Sequence, residues 1–335
     1  MRVRTVRRSV GHSERREYYG EDAWPAVRSR VTAMRIRIAA LGLAALLAGC
    51  TPAAEPLTAP EAAELLAAEL GGGEVVTVTL LGSKLVLENQ TRGAELDLAA
   101  ADHEPALRDI ERRPELLTAP IGDFAPAELA TRRDALTCPE GSLAAVQASS
   151  LIGGGMLQRA GCLAGQEFDV QETLLDGVAL GGFDGWSAET IDAALDDIAK
   201  AGGATALGVA FRGPEDSEFF GWHNVTALGP AVPGSDCLPE TMRMGAHNDR
   251  SGIGLLQVHC QTEQVNPHGE EAFPLADVDG AAVLDAMGRL AEAMGSDEEV
   301  DTSTWVELRD GQLVLSTYGA VDSAAGSDRR VPLNG

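Results

Sequence analysis

The stretch that decides the fold is CPEGSLAAVQASSLIGGGMLQRAGC, residues 138–162, which begins and ends on a cysteine. Small and apolar residues form two runs, 142–149 and 156–165, on either side of a glycine triplet at 153–155. Runs of this kind around glycines are typical of two antiparallel strands joined by a turn. One cysteine precedes the first run and the other lies in the second. The pattern therefore predicts a disulfide across an antiparallel ribbon.

A second pair of cysteines has nearly the same spacing. Cys138 and Cys162 are 24 residues apart, Cys237 and Cys260 are 23 apart, and the pairs are offset by 99 and 98 residues. Four cysteines allow three connectivities, and the spacing favours Cys138–Cys162 with Cys237–Cys260. Closing a loop of this size stabilises a fold by about 3 kcal/mol in the chain-entropy model. Without a close CxxC spacing the cysteines do not indicate a zinc site, so we expect no metal and no cofactor.

Three segments outside the cysteine ribbons combine a helix start with a following hairpin. Thr58, Ser187 and Asp279 can each cap a helix, because a side-chain oxygen there accepts a hydrogen bond from the first helical turn. In the first of these helices we expect Leu65, Leu66 and Leu70 to form the apolar face. Apolar strand runs follow the three helices at 75–81 and 84–89, at 205–211 and 219–228, and at 304–309 and 312–318.

These patterns predict an α+β fold of repeated units, each with one helix packed on an antiparallel sheet, and two disulfides inside units. The expected boundaries give an N-terminal unit and two units that each contain one cysteine pair. These units cover residues 57–137, 138–236 and 237–335.

The N-terminal region carries a secretion signal. After Met34 come Arg35 and Arg37 and then an uncharged apolar run of 11 residues, 38–48. A membrane-spanning helix needs about 20 apolar residues, so this run fits the core of a signal peptide. The run ends in Leu47-Ala48-Gly49-Cys50, which resembles the lipobox of bacterial lipoproteins.

The lipobox resemblance implies that Cys50 carries diacylglycerol and becomes the lipidated N-terminus after removal of the signal peptide, residues 34–49. We expect residues 50–56 to be a tether to the membrane. Residues 1–33 carry eight arginines and no apolar run ahead of a complete signal, so we expect them to be a non-native extension or else a long disordered n-region of the signal. The expected location is the outer face of the cytoplasmic membrane, with a lipid anchor.

The composition restricts the partners. The chain has 26 basic and 51 acidic residues, a formal net charge of −25, and ten of the basic residues precede residue 50. Nucleic acids and anionic lipid surfaces require a basic protein surface, so we expect no nucleic-acid partner. The acidity permits cations or basic protein surfaces.

No sequence motif identifies a catalytic site. The chain lacks a G-x-S-x-G nucleophile elbow and an HExxH zinc motif, and the glycine triplet at 153–155 lacks the Lys-Ser or Lys-Thr of a phosphate-binding loop. The densest polar group, His247-Asn-Asp-Arg-Ser251, fits a turn between two strands. We therefore assign no catalytic residue.

One cluster of side chains suggests a binding surface. Phe219, Phe220, Trp222 and His223 place aromatic rings beside polar groups in a chain with only 4% aromatic residues. Such mixed side chains are frequent at ligand and protein interfaces. The alternative is a sheet surface packed under its helix.

These features together predict a membrane-anchored, extracytoplasmic lipoprotein of the cell envelope that binds a protein or small molecule without catalysis. One alternative is an extracytoplasmic enzyme or metal-dependent protein whose site forms only in three dimensions. Another is a structural spacer in the envelope.

Overall fold

A computed structural model describes residues 56–100, 103–183, 185–213, 223–245, 254–261, 271–294, 304–317 and 330–334. These residues belong to one compact unit, Thr51–Gly335. Cys50, the predicted signal segment and the His247–Ser251 group lie outside the described residues. No helix of the described part is both long and apolar enough to cross a membrane.

The described residues combine four α-helices with nineteen strands. The helices are α1 (Ala59–Glu69), α2 (Pro126–Ala135), α3 (Ala188–Gly202) and α4 (Gly280–Met294). The first ten strands are β1 (Glu74–Val75), β2 (Thr77–Leu81), β3 (Lys84–Glu88), β4 (Arg92–Asp97), β5 (Ala106–Asp109), β6 (Ala119–Pro120), β7 (Leu143–Ser150), β8 (Met156–Ala164), β9 (Glu167–Leu175) and β10 (Val178–Ala179). The others are β11 (Thr205–Ala206), β12 (Gly208–Arg212), β13 (Asn224–Leu228), β14 (Leu238–Met244), β15 (Leu255–Gln261), β16 (Phe273–Pro274), β17 (Thr304–Arg309), β18 (Gln312–Thr317) and β19 (Arg330–Pro332).

The strands form two large antiparallel sheets, which confirms the α+β class. The first sheet has the order β10-β9-β8-β7-β2-β3-β4-β5, and the second has the order β15-β14-β13-β12-β17-β18-β19. The short strands pair separately, β1 with β6 and β11 with β16.

Antiparallel strands that pair in succession follow each described helix. These strands are β2–β5 after α1, β7–β10 after α2, β12–β15 after α3 and β17–β19 after α4, and the short strands β1 and β11 come directly after α1 and α3. In each sheet the first strands of two such groups lie side by side, β2 with β7 and β12 with β17. The expected boundaries at 138 and 237 fall between α2 and β7 and between β13 and β14.

Three predicted helix starts are confirmed. Thr58 and Glu61 form a reciprocal capping box at α1, and Ser187 and Thr190 form one at α3. At α4, a carboxylate oxygen of Asp279 accepts a hydrogen bond from the backbone N–H of Ala282 at 2.8 Å. These side chains satisfy N–H groups that have no partner inside the helix.

The predicted apolar face of α1 is partly wrong. Leu66 and Leu70 are buried, but Leu65 is 46% exposed. The helix packs instead through a stripe of alanines, including Ala62 and Ala63, which are at most 1% exposed. Alanines at this spacing bring the helix backbone close to the sheet, and Leu65 then projects to one side of the contact.

Each sheet buries one face under two helices. Side chains of the first sheet such as Val78, Leu85 and Val146 are completely buried with residues of α1 and α2. In the second sheet, Val209 and Val306 pack against residues of α3 and α4. Alternation along the strands places these side chains on one face, as expected for a sheet covered by helices.

Both predicted disulfides are present. Cys138, just before β7, is bonded to Cys162 in β8, and Cys237, just before β14, is bonded to Cys260 in β15. Each bridge therefore crosses an antiparallel ribbon, as predicted. The first ribbon begins with the first strand after a helix, whereas the second begins with the fourth strand after a helix.

The glycine turn between β7 and β8 forms the end cap of α3. The backbone N–H of Gly153 donates to the carbonyl of Ala201 at 2.8 Å, and that of Gly155 donates to the carbonyl of Lys200 at 2.9 Å. A third apolar cluster surrounds this contact and joins Ala201 to Leu157 of the first sheet. The turn thereby fixes the C-terminal end of α3 against β8.

We predict that Gly153→Ala destabilises the fold. A Cβ atom at this position would lie 2.4 Å from the carbonyl oxygen of Lys200, so the turn or the helix end must move. We expect the free energy of unfolding, measured by urea denaturation, to fall by about 1–3 kcal/mol.

The matched control is Gly122→Ala, because an added Cβ there has no neighbour within 4 Å. We expect the control to change the free energy of unfolding by no more than about 0.5 kcal/mol. Equal effects of the two substitutions would contradict the packing role of the turn.

Candidate functional site

An aromatic cluster lies between the start of α3 and the start of β13. Its members are Phe183, Trp186, Phe211 and His223. The ring of Trp186 has its centroid 5.8 Å from that of Phe183, 6.0 Å from Phe211 and 4.9 Å from His223. The last two contacts are edge-to-face, the geometry that aromatic quadrupoles favour.

Arg243 of β14 contacts this cluster at Phe183 and links it to α3. Its guanidinium pairs with Asp197 of α3 at 2.9 Å and donates to the carbonyls of Gly181 and Met244, each at 2.6 Å. It also lies 5.6 Å from the ring centroid of Phe183, in cation–π contact. Arg243 is only 4% exposed, so these contacts compensate for the loss of its hydration.

Only one member of the predicted binding surface falls within the described part of the chain. Phe219, Phe220 and Trp222 lie in the segment 214–222, outside the described residues. His223 follows this segment, is half-buried and packs edge-on against Trp186. The described part of the predicted surface is therefore His223 alone, which contacts Trp186.

A second cluster, of titratable groups, lies beside the Cys237–Cys260 bridge. Glu240 of β14 and His259 of β15 are directly opposite each other across the two strands. His259 Nε2 lies 2.9 Å from Glu240 Oε2, and the amide of Gln261 donates to the same oxygen. Two side chains of the neighbouring strand thus hold the carboxylate of Glu240 in position.

The contacts of this pair shift both pKa values. Burial would raise the pKa of Glu240, but the hydrogen bonds from His259 and Gln261 outweigh it, and the pKa is lowered overall. The hydrogen bond to Glu240 raises the pKa of His259, against a smaller opposing effect of burial. Both shifts favour the charged ion pair over the neutral pair.

Glu115 completes the second cluster from a segment between β5 and β6. Its Oε2 atom lies 3.2 Å from Cys260 Sγ. Burial raises the pKa of Glu115, and the charges of Arg113 and His259 only partly oppose this effect. A carboxyl group that is poorly solvated next to a sulfur without a hydrogen favours its neutral, protonated form.

Within the described part of the chain, one group of three side chains has its possible metal-ligand atoms close enough together for a metal site. Glu115, Cys237 and Cys260 have ligand atoms within 4.8 Å of one another. Both sulfurs are used by the disulfide, and a metal requires the free thiolate. While the disulfide is intact, the carboxylate of Glu115 is the one metal ligand that this group provides.

Arg159 contributes a half-buried positive charge between the two sheets. Its guanidinium donates to the carbonyl of Leu256 in β15, and desolvation lowers its pKa to about 10. The group stays protonated at neutral pH. This hydrogen bond joins β8 to β15, the edge strand of the second sheet.

A surface cavity of about 390 Å³ lies near the end of α1 and the β3–β4 turn. It is lined mainly by glycines and by amide and hydroxyl side chains, and Glu74 is its one titratable residue. None of its lining residues belongs to the aromatic or the titratable cluster. A cavity with a single carboxylate lacks the acid and base pair that general acid–base chemistry needs.

The sequence indicated one of these contacts, the one between Glu240 and His259. Because the bridge between Cys237 and Cys260 restricts how β14 and β15 can pair, it brings Glu240 close to His259. The position of Glu115 had no such signal, since it contacts a strand more than a hundred residues later in the chain.

No family model matches this chain, and no curated protein or solved structure is similar to it.

We predict a pH-dependent loss of stability when His259 is replaced by Gln. The raised pKa of His259 means that its protonated form stabilises the fold. This stabilisation is complete below the ordinary pKa of about 6.5 and is lost as the pH rises through the raised pKa. Because His259 is 48% exposed, solvent screening limits the effect to about 0.5 kcal/mol.

Urea unfolding of the wild type and His259→Gln at about pH 6 and about pH 9 measures this difference. We expect the wild type to be the more stable protein at the lower pH and the two proteins to converge at the higher pH. A difference that grows with pH would contradict the assigned ion pair.

Proposed function

We propose that this chain is a membrane-anchored, extracytoplasmic lipoprotein of the cell envelope that binds another molecule without catalysis. The observation that carries the proposal is the combination of a lipobox-like sequence at Cys50 with two closed disulfides in the following fold. Disulfides persist in oxidising compartments outside the cytosol, which is where a lipoprotein signal directs a chain. The lipid on Cys50 is the proposed link to the outer face of the cytoplasmic membrane.

We also propose that the fold is built from repeated units of one helix and an antiparallel sheet. The support is the order of elements: each of the four described helices precedes antiparallel strands that pair in succession, and the first strands of adjacent groups pair. A helix with one such group of strands buries only one side of its sheet. Pairing two such groups edge to edge makes a larger sheet that two helices cover.

The proposed ligand surface is the end of the second sheet where the aromatic cluster lies. Trp186 and His223 are half-buried, so their rings keep an accessible part next to the buried Phe211. The predicted residues Phe219, Phe220 and Trp222 precede His223 in the same segment of sequence. Aromatic groups with one polar edge give large contact areas at a small cost in side-chain entropy.

A second candidate function is an extracytoplasmic enzyme. The specific observation in its favour is the convergence of Glu115, Glu240 and His259, whose pKa values are all shifted. Among the described residues, however, the polar contacts of His259 lead to carboxylates and not to a hydroxyl or thiol nucleophile. The ion pair is therefore better suited to holding β14 and β15 together than to nucleophilic catalysis.

We predict that labelled palmitate is incorporated into the protein in growing cells and that Cys50→Ala abolishes the label. The thiol of Cys50 is the proposed acceptor, and two or more acyl chains hold a protein stably at a membrane. Gel fluorography of the immunoprecipitated protein measures the label. A matched control, Cys138→Ala with Cys162→Ala, removes cysteines that are not acceptors and should keep it.

We predict that Trp186→Ala and His223→Ala reduce partner capture by the tagged, lipidated protein at least about tenfold, as expected for central aromatic contacts. Quantitative mass spectrometry after pulldown from detergent-solubilised membranes measures the capture. The control is Leu107→Ala, which truncates an apolar side chain that is 44% exposed in β5. Equal capture by all variants, with circular dichroism spectra like that of the wild type, would reject this surface.

A further inference from the structure

The two disulfides differ in the groups that surround their sulfur atoms. Cys260 Sγ lies 3.2 Å from the carboxyl oxygen of Glu115. Cys162 Sγ instead accepts a hydrogen bond from the amide of Gln171 at 3.3 Å. Cys260 Sγ is therefore in direct contact with a carboxyl group, whereas Cys162 Sγ accepts a hydrogen bond from a neutral amide.

Access to the two sulfurs of the Cys237–Cys260 bridge is also unequal. Cys237 is only 2% exposed, whereas Cys260 is partly accessible to solvent. The Cys260 end of the bridge is therefore the more open to an incoming thiolate, which makes Cys237 Sγ the leaving sulfur. The carboxyl oxygen of Glu115 lies within 4.8 Å of both sulfurs.

Beyond the proposed binding function, we propose that the Cys237–Cys260 bridge undergoes stoichiometric thiol–disulfide exchange with a reduced dithiol protein or small dithiol, and that Glu115 is the acid that protonates the leaving sulfur. The thiolate of the dithiol attacks Cys260 Sγ, a new S–S bond forms there, and the bond to Cys237 Sγ breaks. The carboxylic acid of Glu115 gives its proton to the departing Cys237 sulfur. The second thiol of the partner then attacks the partner's own sulfur in the mixed disulfide, and Cys260 Sγ leaves and takes up the proton of that thiol. The partner is thereby oxidised by two electrons, and both cysteines are reduced to thiols.

Protonation of Glu115 accelerates this exchange, and ionisation of Glu115 slows it. As a neutral acid it supplies a proton to the leaving sulfur, and leaving groups depart faster when their negative charge is neutralised. As a carboxylate it has no proton to give and repels the approaching thiolate. The charged groups that act on Glu115 are Arg113 and Glu111 of its own segment and His259 of β15.

The rates of the two bridges in one molecule can be compared directly. The full, lipidated chain is reduced with dithiothreitol in detergent at several pH values between about 5 and about 8, and free cysteines are alkylated at timed intervals. Peptide mass spectrometry then gives a separate rate for each bridge. The ratio of the rate at Cys237–Cys260 to the rate at Cys138–Cys162 cancels the thiolate concentration of the reagent.

We expect this ratio to fall about tenfold as the pH rises through the pKa of Glu115, because acid catalysis is lost and charge repulsion appears. In Glu115→Gln, which keeps the shape of the side chain but does not titrate, we expect the ratio to be independent of pH. Glu111→Gln is the matched control: it removes an exposed carboxylate of the same segment, and the fall should persist.

Three results would overturn the proposal. The first is a wild-type ratio that does not change with pH. The second is a fall that persists in Glu115→Gln but disappears in His259→Gln, which would assign the titration to the imidazole. The third is a ratio near one at every pH, as expected if both bridges are reduced only after global unfolding.

Discussion

The contact between the β7–β8 turn and the end of α3 is the constraint on which the joining of the two sheets depends. The final carbonyl groups of a helix have no partner within the helix, and a buried helix end must find partners elsewhere. In this protein Lys200 and Ala201 find them in the N–H groups of Gly155 and Gly153. The glycines make this possible because a side chain at position 153 would occupy the place of the helix carbonyl. Leu157 and Leu256 then share one apolar cluster with the helix end.

Strand β14 carries both candidate sites, one near each end. Near its start, Glu240 pairs with His259, next to the bridge from Cys237. Near its other end, Arg243 pairs with Asp197 and lies over a ring of the aromatic cluster. The two sites therefore share a rigid element, which also pairs with a neighbour on each side. Such a scaffold holds side chains more precisely than a loop does.

Two arginines, the buried Arg243 and the half-buried Arg159, serve as links within an acidic chain. Carboxylates outnumber cations in a chain with a formal net charge of −25, and Arg243 does pair with Asp197. Backbone carbonyls, however, accept hydrogen bonds from both Arg243 and Arg159. A guanidinium has five N–H donors in a fixed plane, so one side chain can join several segments at once. These contacts join β14 to the segment before α3, and β8 to β15.

The sequence by itself determined the class of fold, three helix starts, the main hairpins and the pairing of the cysteines. These features depend on local patterns: a capping side chain beside an apolar stripe, two apolar runs around glycines, and the distance between cysteines. It did not give the bounds of α2, because the N-cap residue Ala125 is in a left-handed conformation and offers no side-chain cap. Only the tertiary structure decided that the glycine triplet caps α3, and that Glu115 lies against Cys260. Both contacts join segments far apart in the chain, and packing places them, whereas local sequence patterns report only on near neighbours.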